Sequence, residues 1–258
     1  MSSNAAPKRP FASKGMESVR FDERRETYWQ GIEEICNMGY SEADLIHHAP
    51  AFAGHLNLGR HLALYEAYKM TQKLSGHIAE AGVWKGAGLL LFAKLTQLFE
   101  PWSQTLVHGF DWFRGAEPGS DEADVVQQGA YAESFERVQR LIDLQDLNGI
   151  VRLHNLDLAK DLPRFAAKYP HLRYKLVFLD CGIYPVVRAC ITYFWPRMPV
   201  GSVMILDNYN HETSPGEARA LHELLPDVEL HSFGFAPQPT AYVVKHTSCW
   251  DTALASSE

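Results

Sequence analysis

The chain has 258 residues, 46% of them hydrophobic, so it is long enough to bury a sizeable core. Its net charge is −7 and it has no run of Lys and Arg, which argues against a nucleic-acid partner. No apolar run approaches the length of a membrane span, about 18 residues, and the polar N-terminus lacks the apolar segment of a signal peptide. The four cysteines are scattered without zinc-site spacing. We therefore expect a soluble, cytoplasmic protein with no membrane partner.

Helical patterning fills the first part of the chain, residues 17–75. Ser41 begins a short helix with Asp44 at the capping-box position, and Asn57 is a candidate cap for a longer helix. Three helices with no strand between them predict a lid or a dimerisation extension, so we expect a homo-oligomer, a dimer or higher. The two polar ends of the chain are predicted to be disordered tails, at residues 1–16 and 247–258.

Strands and helices alternate from residue 76 to residue 246. The predicted strands are 77–81, 104–111, 150–154, 174–180, 201–207, 228–233 and 240–245. The predicted helices are 87–99, 130–142, 158–168, 184–195 and 214–225. This alternation is typical of an α/β fold in which a mostly parallel, seven-stranded sheet is covered on both faces. Only GFAPQP joins the last two strands, which is too short for a crossover helix, so the sheet should end in an antiparallel hairpin.

A long, polar and acidic connection, residues 112–129, interrupts this alternation. Connections of this length in a compact domain are usually functional lids or disordered segments. We predict that it closes over a ligand together with the N-terminal helices, with a plain surface excursion as the alternative.

The first predicted strand runs into a glycine-rich turn, EAGVWKGAG, at residues 80–88. Glycines at this point let the backbone turn tightly and approach a ligand at the carboxyl edge of a sheet. The spacing differs from the G-x-G-x-x-G of dinucleotide binding, and Glu80 would repel a phosphate. An acid here suits a cationic ligand, and S-adenosylmethionine carries both an ammonium and a sulfonium. A turn that binds no ligand is the alternative.

Asp111 ends the second predicted strand. A carboxylate at this position can accept hydrogen bonds from both ribose hydroxyls of a nucleoside, although a loop cap is equally open. Together with the glycine turn, Asp111 predicts a binding site for S-adenosylmethionine. The residues predicted to bind this cofactor are Glu80, Gly82, Val83, Trp84, Gly86, Asp111, Trp112 and Asp157.

Oxygen-bearing side chains end the fourth and fifth predicted strands, namely Asp180, then Asp207 with Asn208. Adjacent parallel strands lie about 4.8 Å apart, so these side chains should converge. Two carboxylates and an amide oxygen form a hard ligand set that suits Mg²⁺, whereas for a single acid a loop cap would be the simpler interpretation. Among the histidines, His211 is the best-placed general base, and Asp180 is also a candidate catalytic residue.

Four motifs follow these strands in order: EAGVWKGAG, DWFRG, LDCGIYP and ILDNYNHETSPG. Over roughly residues 50–245 they resemble the macrocin O-methyltransferase family, which includes the novobiocin sugar O-methyltransferase. The resemblance implies a Rossmann-like class I methyltransferase fold and metal-dependent methylation of sugar hydroxyls in natural-product pathways. It also implies that Asp180, Asp207 and Asn208 lie at metal-binding positions.

The sequence departs from that family at two positions. Gly182 stands where the family has an aspartate that is its proposed base, so another residue such as His211 must take that part, or a bound metal must suffice. Asn208 stands where the family usually has a second aspartate. The resulting D-N pair is similar to that of catechol-type O-methyltransferases, which also use Mg²⁺.

The leading interpretation is an S-adenosylmethionine-dependent, Mg-dependent O-methyltransferase that acts on a small molecule, with a sugar of a natural product as the expected acceptor. One alternative keeps the cofactor but methylates an amino group, with the acids acting as bases. Another is a protein that binds S-adenosylmethionine without catalysing methyl transfer, in which Gly182 in place of the family's aspartate reflects the loss of activity. A nucleotide-linked oxidoreductase is the least favoured, because the glycine spacing and Glu80 do not suit a pyrophosphate.

Overall fold

The structure is a computed structural model that describes residues 22–117, 128–211 and 214–246. Over these residues seven strands join into one sheet. They are β1 (His77–Ala81), β2 (Val107–Asp111), β3 (Val151–Asn155), β4 (Tyr174–Leu179), β5 (Val203–Leu206), β6 (Leu230–His231) and β7 (Ala241–Val244).

Nine α-helices accompany the sheet in the described part of the chain. Four of them precede the first strand: α1 (Asp22–Cys36), α2 (Glu42–His47), α3 (Ala49–Phe52) and α4 (His55–Thr71). The other five alternate with the strands: α5 (Ala87–Phe99), α6 (Phe135–Leu144), α7 (Leu158–Lys168), α8 (Tyr184–Phe194) and α9 (Gly216–Leu224). Among the described helices, none combines the length and the apolar character that crossing a membrane requires.

The strands lie in the order β3-β2-β1-β4-β5-β7-β6. β1 to β5 are parallel to one another, whereas β7 is antiparallel to both β5 and β6. This arrangement confirms the predicted mostly parallel sheet with an antiparallel end. It also adds a detail that the connection length did not predict: β7, and not β6, forms hydrogen bonds with β5.

The sheet lies between two apolar cores. Every residue of β4 and β5 is buried, and alternate side chains of a strand point to opposite faces. Leu176 and Phe178 therefore pack with α4 and α5, whereas Val177 and Leu179 pack with α7, α8 and α9. Burial on both faces explains why these strands are largely apolar instead of alternating. Lys175 of β4 is the exception, and its buried Nζ donates to the two carboxylate oxygens of Glu100 at 2.8 and 2.6 Å.

Helix α4 belongs to the first of these cores. Its Ala63, Leu64, Ala67 and Tyr68 are fully buried and follow the i, i+3, i+4 spacing of one helix face. The predicted boundary between residues 75 and 76 therefore does not separate two cores. The lid or dimerisation role of the N-terminal helices stays a prediction.

One of the two predicted helix caps, at Ser41, is present in the structure, and the other, at Asn57, is not. Ser41 accepts a hydrogen bond from the Asp44 backbone N–H at 3.1 Å, and the predicted capping box is present. The prediction that Asn57 caps α4 is wrong, since the helix begins at His55 with Gly54 as its cap. The reason is tertiary: a Cβ on Gly54 would lie 1.9 Å from Cε2 of Tyr28, so α1 packs where only glycine fits.

Several predicted boundaries shift by a few residues, and some fall outside the described residues. The helix predicted at 130–142 begins at Phe135, because the Ser134 hydroxyl caps it by accepting from the Arg137 N–H at 3.2 Å. Both predicted tails, 1–16 and 247–258, lie outside the described residues, as do residues 118–127 of the acidic connection.

Candidate active site

Four carboxylates lie where β1, β2, β4 and β5 end. The strands end together, since Ala81 pairs with both Phe110 and Leu179, and Leu179 pairs with Leu206. The register therefore brings the neighbouring acids to one edge of the sheet: Glu80, Asp111, Asp180 and Asp207.

The turn between β1 and α5 depends on glycine at two positions. Gly82 has a φ of +91°, and a Cβ there would lie 2.1 Å from the carbonyl oxygen of Asp180. Gly86, at φ +84°, forms the left-handed N-cap of α5. Other residues rarely adopt these angles. The turn therefore packs directly against the end of β4, and a ligand held by it would lie beside Asp180.

The Asp111 carboxylate closes this turn. Its Oδ2 accepts from the backbone N–H groups of Val83 and Trp84, each at 2.9 Å, and its Oδ1 accepts from the Phe113 N–H at 2.7 Å. The loop-cap alternative for Asp111 is thus present in the structure. An ionised carboxylate has about four acceptor sites, so one remains for a ribose hydroxyl. The ribose role stays a prediction.

Glu80 is buried beside the same turn, with 1% of its surface exposed. A Cβ on Gly88 would lie 2.3 Å from its Oε1, so the first turn of α5 packs directly over the carboxylate. Its Oε2 has no hydrogen-bond partner among the described residues. Burial, followed by the charge of Asp180, raises the pKa of Glu80 well above its ordinary value. A positively charged ligand group would supply the missing partner.

Asp180 and Asp207 share a cation that sequence reasoning missed, Arg60 of α4. Its Nη2 donates to Oδ2 of Asp180 at 2.6 Å, and its Nη1 donates to Oδ1 of Asp207. Its guanidinium carbon lies 5.2 Å from the centroid of the Phe178 ring. Burial acts to lower the pKa of Arg60, but the charges of Asp207 and Asp180 outweigh it and raise that pKa. The guanidinium therefore stays charged.

Further polar contacts hold these groups in place. Asn208 donates from Nδ2 to Oδ2 of Asp207 at 3.4 Å and accepts at Oδ1 from Nε2 of Gln238 at 2.7 Å. Glu217 of α9 accepts from the Asn208 backbone N–H at 2.8 Å. Its Oε1 has no hydrogen-bond partner within the described part of the chain. Burial, followed by the charge of Asp207, raises the pKa of Glu217 well above its ordinary value.

This edge of the sheet carries more acidic groups than Arg60 can neutralise. Arg60 contacts Asp180 and Asp207, while Glu80 and Glu217 each keep a buried oxygen without a described partner. Burial, and then the charge of Asp207, raises the pKa of Asp180 to about 8. Like charges this close favour the uptake of protons or of a further cation.

Comparison with known proteins identifies the family. Residues 79–209 match the protein family described as a methyltransferase domain, and this span is just over half of the chain. The chain belongs to this methyltransferase family. The protein is an S-adenosylmethionine-dependent methyltransferase, and the four strand-end acids surround its candidate active site. No curated protein matches the chain.

Solved structures share the fold of this methyltransferase. CalS11, a calicheamicin methyltransferase, is 22% identical with a TM-score of 0.76, over 86% of this chain and 92% of that chain. The apo structure of CalS11, a TDP-rhamnose 3'-O-methyltransferase of calicheamicin biosynthesis, is 24% identical with a TM-score of 0.69, over 86% and 94%. The O-methyltransferase NovP is 20% identical with a TM-score of 0.61, over 72% and 80%. These likenesses confirm the Rossmann-like class I methyltransferase fold.

Two further predicted cofactor residues of the methyltransferase have structural partners. Asp157 is the N-cap of α7, where its Oδ1 accepts from the Ala159 N–H at 3.0 Å, and it also pairs with Lys160. Trp112 donates from Nε1 to the Gly115 carbonyl oxygen at 2.6 Å. Neither hydrogen bond requires a cofactor, and cofactor binding by these two residues stays a prediction.

The candidate base His211 lies on the loop that follows β5 and Asn208. Its backbone N–H donates to the Asn208 carbonyl oxygen at 3.2 Å, and it forms a β-bridge with Ser214. The Ser214 hydroxyl donates to the carbonyl oxygen of Gly182 at 3.3 Å. The loop that carries His211 is thus tied to the turn that carries Gly182. The role of His211 in proton transfer stays a prediction.

Arg60, Glu217 and Gln238 were absent from the sequence prediction. A signal existed for two of them, because Arg60 and Glu217 occupy otherwise apolar helix faces. Arg60 precedes the buried Ala63 and Leu64 by three and four residues, and Glu217 has the same relation to Ala220 and Leu221. A charged residue within an apolar stripe must find a partner when it is buried. We see no comparable signal for Gln238.

Proposed function

We propose that this methyltransferase transfers the methyl group of S-adenosylmethionine to a hydroxyl group of a small molecule, and that the acceptor is a sugar of a natural product. One observation carries the proposal: Asp180, Asp207 and Asn208 lie together beside the glycine turn. Oxygen donors suited to a hydroxyl acceptor would thus adjoin the methyl donor. The sugar assignment is supported by the motif resemblance and by the similarity to CalS11, a TDP-rhamnose 3'-O-methyltransferase.

The residues of the turn fit the cofactor. Buried Glu80 has a carboxylate oxygen with no partner among the described residues, which an ammonium group would supply. Gly82 lets the backbone approach a ligand, and Asp111 keeps one acceptor site for a ribose hydroxyl. S-adenosylmethionine supplies the methyl group and leaves as S-adenosylhomocysteine.

The acids also fit Mg²⁺. Asp180 and Asp207 offer hard carboxylate oxygens, and the buried carboxylates exceed the positive charge in their neighbourhood. Asn208 would add its Oδ1 as a third donor on release from Gln238. Asp180 keeps 28% of its side chain exposed, so a ligand can reach it. When bound, Mg²⁺ would lower the pKa of an acceptor hydroxyl. One oxygen of each of these two carboxylates accepts a hydrogen bond from Arg60.

Methylation of a hydroxyl releases one proton. The carbon–oxygen bond forms as the carbon–sulfur bond breaks, and the hydroxyl proton passes to a base. We assign this role to His211, with Asp180 as the second candidate, because both lie at the edge where the acids converge.

We also propose that the N-terminal helices and the connection at residues 112–129 enclose the acceptor, in a cytoplasmic homo-oligomer. The position of Arg60 supports this idea, because helix α4 from that region already contributes a side chain to the acidic site. Excluding water would protect the sulfonium and strengthen local electrostatic interactions.

The experiment that tests the function combines binding and product analysis. Calorimetry should record binding of S-adenosylmethionine, and mass spectrometry should detect a methylated product among nucleotide sugars and glycosylated metabolites. EDTA should abolish turnover, and Mg²⁺ or Mn²⁺ should restore it. Full turnover in EDTA would instead support the amine-acceptor interpretation. Cofactor binding without any product would support a silent binding protein.

Asp207→Asn provides the matched mutational test. Because it removes one of two charged metal donors, we expect turnover to fall at least about 100-fold while cofactor affinity changes little. Asp227→Asn, at an exposed loop position, is the control and should retain full activity. Equal activity of the two variants would contradict the role assigned to Asp207.

A further inference from the structure

We propose that Arg60 is the resident counter-cation of Asp180 and Asp207, and that it and the divalent metal exchange on the same two carboxylate oxygens. The inference rests on the proposed metal-dependent function and adds a positioning residue to it. Arg60 would hold both carboxylates in a bridging arrangement until the metal replaces it.

The contacts define where the exchange takes place. One guanidinium nitrogen donates to Oδ2 of Asp180 and the other donates to Oδ1 of Asp207. The two acids follow neighbouring parallel strands, so one planar group spans both strand ends. A metal held by these two acids would compete with the guanidinium for their carboxylates.

Simultaneous occupancy is opposed by charge. An arginine guanidinium stays protonated in proteins, so Arg60 carries a full positive charge against both acids. A divalent ion held by the same two carboxylates would lie beside that positive group, and like charges at such short range repel strongly. The two cations are therefore alternatives at one site.

The side chain can leave without movement of its helix. Ala63 and Leu64 anchor α4 in the core, and a Cβ on Gly59 would lie 3.4 Å from the Phe235 carbonyl oxygen, so the backbone of α4 is closely packed. The Arg60 side chain is 24% exposed, which gives it a route to solvent. Rotation of a long side chain is then sufficient for the exchange.

Exchange has a measurable consequence for metal affinity. The metal binds only those molecules in which Arg60 has left the carboxylates. An ion pair formed about nine-tenths of the time would weaken the apparent metal affinity about tenfold.

The test measures Mn²⁺ binding by electron paramagnetic resonance in the wild type, Arg60→Met and Arg60→Lys. We expect Arg60→Met to bind Mn²⁺ about tenfold more tightly than the wild type. Arg60→Lys should be intermediate, since it keeps the charge but lacks the two-pronged geometry. Lys69→Met removes an exposed charge from the same helix and should bind Mn²⁺ like the wild type. Mn²⁺ should also raise the melting temperature of Arg60→Met more than that of the wild type.

Two results would overturn the exchange. One is an Arg60→Met protein whose Mn²⁺ affinity does not exceed that of the wild type. The other is an Arg60→Lys protein with wild-type affinity, because repulsion by a nearby charge would then explain the effect of Arg60→Met. If Arg60→Met does not fold without metal, the Mn²⁺ affinity of Arg60→Lys is compared with that of the wild type, and equal affinities would then overturn the exchange.

Failure of the exchange differs from failure of the proposed function. If the wild type and Arg60→Met bind Mn²⁺ equally well, the exchange is wrong and the metal proposal stands. If only Arg60→Met binds Mn²⁺, the exchange stands and the metal-dependent function is wrong. If no variant binds Mn²⁺ while calorimetry still records S-adenosylmethionine, both proposals are wrong and metal-free methyl transfer remains.

Discussion

Asp111 accepts three backbone hydrogen bonds, and the predicted ribose contact would give the same carboxylate a second task. The hydrogen bonds hold the turn at Val83 and Trp84, and one acceptor site is left for a ligand. A residue of this kind cannot be assigned to binding or to structure by position alone. The two contributions separate only when stability and affinity are measured on the same variant.

Asp111→Ala should lower both the affinity for S-adenosylmethionine and the stability of the fold. We expect S-adenosylmethionine to bind more weakly by about 1–3 kcal/mol, because a ribose hydroxyl loses its acceptor. The free energy of unfolding should also fall, because three backbone N–H groups lose theirs. Calorimetry and urea denaturation measure the two effects. Asp143→Ala, at an exposed position, is the control. A loss of stability with unchanged affinity would mean that Asp111 is a loop cap alone.

At the scale of elements, the turn between β1 and α5 links the proposed cofactor residues to the proposed metal residues. Gly82 approaches the Asp180 carbonyl oxygen so closely that β1 and β4 present their acids side by side. Helix α4, which directly precedes β1 in the chain, adds Arg60 to the same edge of the sheet. Packing of these elements, and not the loops alone, therefore shapes the site.

Gly82→Ala should disrupt this junction. The new methyl group would meet the Asp180 backbone at 2.1 Å and the residue would keep a φ of +91°, so we expect a loss of at least about 2 kcal/mol in the free energy of unfolding. Gly149→Ala is the matched control, because a Cβ there meets nothing within 4 Å. Denaturant unfolding of both variants provides the measurement, and similar stabilities would contradict the close-approach argument.

At the scale of the whole molecule, a histidine pair lies beside the second core and away from the candidate site, with His108 buried and His154 half-buried. Nδ1 of His108 lies 3.0 Å from Nε2 of His154, and the rings stack with Phe110 and pack near Phe165. Burial lowers the pKa of His108 to about 3 and that of His154 to about 4. Both rings are therefore neutral in the native protein at neutral pH.

Because both rings are neutral in the native protein, we predict that the fold loses stability at acidic pH. Between the ordinary pKa of 6.5 and about 4, the unfolded chain binds protons that the native rings do not, so stability falls as the pH falls through this window. Each histidine contributes up to about 1.4 kcal/mol per pH unit. His154→Phe should flatten the pH dependence of the urea midpoint relative to the wild type. The exposed His171→Gln serves as control, and identical slopes for His154→Phe and the wild type would exclude the pair as the cause.

Local sequence patterns were sufficient to predict several helices and the two acids that converge at the candidate site. Helices α5 and α7 begin and end at the predicted residues, 87–99 and 158–168, because their apolar spacing is interrupted by clear turn residues. The acids at residues 180 and 207 were predicted to converge because parallel strands share one carboxyl edge, and they do share Arg60. These features depend only on neighbouring residues and on the geometry of the strand–helix unit.

Only the tertiary structure decided the rest. It places β7 between β5 and β6, starts α4 at His55, and joins Arg60 to acids that lie 120 and 147 residues further along the chain. A sequence pattern shows which face of an element is apolar and which residues carry charge. It does not show which elements pack together, and the partner of a buried charge depends on that packing.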